Sequence, residues 1–173
     1  MQKVKINRSD FDLSFELGSD ETTAYLDTED GTVVMIEDYA EHRLDDVITE
    51  EETLEAIEAS IRTHAELSDW EREQMLAAVR IEWDDAKRYR PIPKQDSQQG
   101  YRDMQEFIWS LEDDHLRELL EIAIQGSGAF RRFKDALYRY PEAQAEWFKF
   151  RDERQHQRML EWFAHEDIEP EFE

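Results

Sequence analysis

The densest chemistry in this 173-residue chain lies in its last third. Gly126-Ser127-Gly128 leads into Phe130, Arg131, Arg132 and Lys134. Free amides at a helix N-terminus, with arginines beside them, can hold an anion such as a phosphate. The stretch is neither a Walker loop nor a dinucleotide fingerprint, and no β signal precedes it. Its plain alternative is a tight interhelical turn. There Gly126 closes the outgoing helix, Ser127 caps the incoming one, and the arginines pair with nearby acids. Further on, Trp147, Arg151, Arg154, Arg158 and Trp162 follow at spacings of 4, 3, 4 and 4, which puts them on one helical face. Two arrangements satisfy that pattern. The guanidinium groups form planar ion pairs and stack on the tryptophans, fixing helix packing. Alternatively, they form a docking face for an acidic or phosphorylated partner.

Other constellations are weaker. Glu112-x-x-His115 and Glu153-x-x-His156 match the spacing of di-iron bundle ligands, yet 26 glutamates and 5 histidines produce about one such pair by chance. Glu112 also suits a helix start, where a carboxylate meets the positive end of the dipole. No serine lies in a G-x-S-x-G elbow. With 44 acidic residues, no carboxylate pair stands out. The lack of cysteine excludes disulfides, thiolate catalysis and Cys-ligated metals. We therefore expect no cofactor, no metal and no nameable catalytic residue.

Charge narrows the partners. The net charge is −23, but residues 126–163 hold 8 basic and 6 acidic side chains, against 13 and 38 in the other 135 residues. An anionic body disfavours direct binding to nucleic acid. Acidic mimicry of nucleic acid by residues 44–58 is a further reading. Arginine outnumbers lysine 15 to 6, a balance that suits plain solubility or a salt-adapted host. No signal-peptide pattern and no membrane-length apolar run is present, so the expectation is a cytoplasmic protein without a membrane partner.

Several elements must position these groups. Residues 9–17 fit either a strand or a short helix. Residues 24–36 flank Asp30-Gly31 with β-rich runs and predict a hairpin. Tyr89 to Pro93 is a candidate third strand, which its prolines confine to an edge. Between them, 45–86 forms an acidic helical insert, with capping boxes at Thr49–Glu52 and Ser68–Glu71. A polar loop at 93–100 precedes four helices, the last opened by Pro141 and running to about Ala164. Residues 166–173 read as an acidic tail.

Gly126-Ser127-Gly128-Ala129-Phe130-Arg131-Arg132-Phe133-Lys134-Asp135 resembles the signature of the bacterial Uncharacterised Protein Family 0158. Pro141, Trp147-Phe148-Lys149-Phe150, Arg151, Arg154 and Glu161-Trp162-Phe163 continue the likeness. Upstream, Tyr25-Leu26-Asp27 with Gly31, Arg88-Tyr89 with Ile92-Pro93, and Tyr101-Arg102-Asp103-Met104 with Phe107 are similar to further family blocks. The resemblance implies a bacterial host and a helix before the hairpin, hence a helix over 9–17. It implies no activity and no catalytic residues.

The expectation is an α+β, mainly helical, single domain: a small antiparallel hairpin or three-stranded unit packed on a C-terminal bundle. Its function reads first as non-enzymatic binding or regulation through the Gly126–Lys134 turn and the arginine stripe. Its partner would be an acidic or phosphorylated protein or a small anion. An enzyme acting on a phosphorylated small molecule at the same turn is the alternative.

Overall fold

The computed structural model describes residues 1–17, 21–47 and 53–173. Its fold is α+β and mainly helical. Thirteen elements are described: β1 (Gln2–Ile6), α1 (Arg8–Leu17), β2 (Thr22–Asp27), β3 (Val33–Glu37), α2 (Asp38–Val47), α3 (Leu54–Thr63), α4 (Asp69–Glu82), β4 (Tyr89–Pro91), α5 (Ser97–Ser110), α6 (Asp114–Ala123), α7 (Ala129–Leu137), α8 (Pro141–His165) and β5 (Ile168–Phe172). They form two compact units, one from residues 1–94 with 166–173, the other from residues 95–165.

In the first unit β2 lies between β3 and β4, all antiparallel. Pro91 ends the short edge strand β4, where a missing N–H costs no ladder bond. Ile36 of β3 shares a core with Ala40, Leu44, Ile57, Ile61, Met75 and Val79 of α2, α3 and α4. α4 begins at the expected capping box, in which Ser68 and Glu71 satisfy each other's backbone amides. The box expected at Thr49–Glu52 lies outside the described residues; α3 is capped by Thr53, whose side chain accepts from Ala56 N. The helix α1 is present, started by Asn7 Oδ1 accepting from Asp10 N at 3.0 Å.

Two elements correct the sequence reading. Residues 168–172 are not a free tail but β5, paired in parallel with β1, with Gln2 opposite Ile168 and Ile6 opposite Phe172. Both strands alternate: Val4, Ile6 and Ile168 are buried, while Lys3 and Lys5 face Glu169, Glu171 and Glu173 across exposed ion pairs. α2 was also unforeseen, because only Ala40 and Leu44 mark its buried face.

The hairpin connection is a structured loop. Asp30 Oδ1 accepts from Thr32 N and Oγ1, and Gly31 N donates to Asp27 O at 2.8 Å. Gly31 has φ +77, and a Cβ there would overlap the carbonyl oxygen of Lys5. At the loop's root, buried Asp27 is gripped by Arg88 through two parallel bonds of 2.7 and 2.5 Å. That bonding pushes the Arg88 guanidinium above its already high ordinary pKa. The family-like residues Asp27, Gly31 and Arg88 thus meet at one corner.

The second unit is the expected four-helix assembly. Met104, Phe107 and Ile108 of α5, Leu116 and Leu120 of α6, Phe133 and Leu137 of α7, and Ala143 and Trp147 of α8 build its core. Phe107, Phe133 and Trp147 meet edge to face at centroid distances of 4.9 to 6.3 Å, the preferred aromatic arrangement.

Gly31→Ala combines left-handed strain with a backbone overlap, so urea unfolding should show a loss of about 3 kcal/mol. We also propose that the chain unfolds in one cooperative transition. It passes between the two units twice, and β5 must be made before the first unit is complete. Calorimetry showing two separate transitions would make them independent domains.

Candidate functional site

The five arginines of interest on α8 and α7 have different fates. On α8 the expected stripe faces α5. Arg158 pairs with Asp103 and Arg154 with Glu106, so higher positions on α5 meet lower ones on α8, as antiparallel helices require. Arg154 also lies over the Phe150 ring at 5.1 Å. The Asp103 side chain is only 5% exposed, which makes Arg158 its counter-ion rather than a free donor. Arg151 turns to its neighbour Asp152 at 2.9 Å and to the Phe148 ring. Trp147, placed by sequence on the binding stripe, belongs to the core and is withdrawn from any surface. Trp162 is half-buried and packs edge to face on Phe163.

Arg132 has a third role. The last carbonyls of a helix lack intrahelical donors. Arg132 folds back from α7 and supplies them: Nε donates to Ala123 O at 2.8 Å, Nη1 to Ser127 O at 2.5 Å, and Nη2 to Gln125 O. One planar fork thereby closes α6 and the turn together. Gly126 and Gly128 adopt φ +73 and +76, which lets the chain reverse within three residues. The expected cap by Ser127 is corrected: Gly128 is the N-cap of α7, and no side chain accepts from the first-turn amides.

What remains outside is one face of α7. Phe130, Arg131, Lys134 and Tyr138 fall within about a quarter-turn of each other by helical spacing and are all exposed. Arg131 is 88% exposed, and its nearest acid, Asp135, lies at 3.9 Å, a pairing of little energy in water. Lys134 and Arg139 have no ion pair among the described residues. Phe130 rests its inner edge on α5 because Gly100 makes room; a Cβ there would sit 3.1 Å from its Cε1. Beside it, Gly126, Gly128, Ala129, Tyr101 and Arg102 line an open hollow of about 460 Å³. Among the described residues Arg102 donates only to Gln99 Oε1, at 2.8 Å. Sequence reasoning missed Arg102 as a site residue, although it stands in a family-like block beside Asp103.

Among the described residues, no three His, Asp or Glu side chains converge as metal ligands. Glu112, His115, Glu153 and His156 all point to solvent. Of the stretch considered for mimicry, residues 48–52 lie outside the described set, and Glu58 is held at 2.6 Å by both Arg62 and Arg80. No helix among the described residues is long and apolar enough to cross a membrane.

The model of the Uncharacterised protein family (UPF0158) matches residues 69–173, from α4 through the arginine-closed corner to β5. The chain belongs to this family. UPF0158 protein PA5073 of Pseudomonas aeruginosa is 34% identical over 67 residues, covering 39% of this chain and 44% of that protein. The match spans less than half the length of that relative. No solved structure matches. Neither family nor relative has a name that assigns an activity, and the function of this chain is unknown.

Arg132→Ala should lower stability by about 2 kcal/mol in urea unfolding, the scale of hydrogen bonds from a charged donor. Arg132→Lys should fail to restore it, since one ammonium cannot bridge three carbonyls in a plane.

Proposed function

We propose that this chain is a non-enzymatic binding or regulatory protein that docks an acidic segment of a partner protein on α7. Arg131 and Lys134 would supply charge, and Phe130 and Tyr138 apolar contact. The Gly126–Gly128 hollow with Arg102 would receive a carboxylate or phosphorylated side chain. The observation that carries this reading is the contrast in how cations are used. Residues 126–141 hold four basic side chains and one acidic one, and among the described residues their one ion pair is Arg131–Asp135 at 3.9 Å, in a chain of net charge −23. Uncompensated positive charge inside an anionic surround steers an anionic partner while repelling others. Aromatic and arginine side chains are the residues most enriched at binding hot spots. The hollow is shallow and, among the described residues, lined by no carboxylate or imidazole, which favours binding over catalysis. The bacterial relative supports a bacterial host; a cytoplasmic setting is part of the proposal.

Fluorescence anisotropy tests it with a labelled twelve-residue Asp/Glu peptide, with and without one phosphoserine. Arg131→Ala/Lys134→Ala should weaken binding at least tenfold, and rising salt should weaken the wild type. Lys3→Ala/Lys5→Ala, which removes two exposed lysines elsewhere, should change nothing. Equal affinity of all three proteins, or no binding, contradicts the proposal. Competition by inorganic phosphate at equal potency would instead favour a small-anion site.

A further inference from the structure

A second cavity, of about 480 Å³, lies in the first unit and owes nothing to the α7 face. Ile36, Leu44, Ala78 and Ile81 form its apolar floor, Tyr25 and Trp83 its aromatic sides, and Glu41 and Glu82 its charged margin. Trp83 is the C-cap of α4, its N–H bonded to Val79 O at 2.9 Å, so the cavity opens at the carbonyl end of that helix. This composition is unlike a solvated acidic surface. Neither glutamate has an ion-pair partner among the described residues, whereas Glu58 on the neighbouring helix takes two arginines.

We infer that this cavity binds an organic cation, an ammonium or guanidinium group carried on an alkyl or aryl body. Four features converge on that class. Aromatic faces attract cations through their quadrupoles. Two carboxylates without an ion-pair partner among the described residues supply formal charge at the cavity's exposed margin. The carbonyl end of α4 adds the negative pole of a helix dipole. The apolar floor matches a hydrocarbon body, and the volume lies within the small-molecule range. The environment of Tyr25 agrees in sign: burial, then the charges of Glu41 and Asp38, raise its hydroxyl pKa. A hydrated divalent metal fits poorly, because it needs several convergent oxygens and none of its shell would use the apolar floor. The surrounding unit reinforces the sign, with 11 basic side chains against 30 acidic ones.

Titration calorimetry of the full chain with phenethylammonium tests the proposal, with 2-phenylethanol as the uncharged counterpart. The cation should bind with a dissociation constant of millimolar or below, and the alcohol at least tenfold more weakly. Glu41→Gln/Glu82→Gln should weaken the cation at least fivefold and leave the alcohol unchanged. Trp83→Ala should weaken both. Far-UV circular dichroism confirms that each variant is folded; the two glutamates are exposed, so neither change disturbs packing. No saturable heat up to 10 mM overturns the proposal. Equal binding of cation and alcohol, or indifference to the glutamine variants, overturns it as well.

Discussion

Asp27 and Asp103 are buried in a chain that carries 44 acidic side chains and only 21 basic ones. Each is met by a single arginine, Arg88 in the first unit and Arg158 in the second. A buried carboxylate stripped of its counter-ion costs several kcal/mol, so these arginines are committed before any partner is considered. The same scarcity governs the other cations. Arg62 and Arg80 share Glu58, Arg154 is taken by Glu106, and Arg132 is spent on the open end of α6. Arg102, Arg131 and Lys134 near the glycine corner, and Arg139 at the other end of α7, stand out against that background.

Local signals were the most legible. The Ser68–Glu71 box, the prolines at the β4 edge and at the first position of α8, and the apolar faces of α5 to α8 each act within one or two turns of chain, and the structure shows them where spacing puts them. Nonlocal pairing was not legible. β1 and β5 are short, lie at opposite ends of the sequence, and alternate charged with apolar residues, so each alone reads as a solvated terminus. Only their pairing turns Val4, Ile6 and Ile168 into a buried face.

The proposed binding surface was legible in composition but not in orientation. Spacing correctly placed Arg154 and Arg158 together, yet helical periodicity does not say which neighbour a face meets; it meets the acids of α5. Trp147 shows the same ambiguity, since an aromatic at that spacing serves a core as readily as a surface. Ser127 reads as a cap by residue type, but the left-handed Gly128 already holds that position, and Arg132 reaches past the serine to bond its carbonyl. Arg102 offered the weakest signal of all, a charged residue on a helix whose importance depends on what folds beside it.

The division of arginines into committed and free groups is the claim on which the proposed binding surface stands. Side-chain nitrogen-15 relaxation and hydrogen exchange of the arginine Nε–H groups by NMR measure it residue by residue. Arg88, Arg132 and Arg158 should be rigid and slow to exchange, while Arg102, Arg131 and Arg139 should be mobile and fast. Rigid, protected signals from Arg131 and Arg139, or mobile ones from Arg132 and Arg158, would contradict the account.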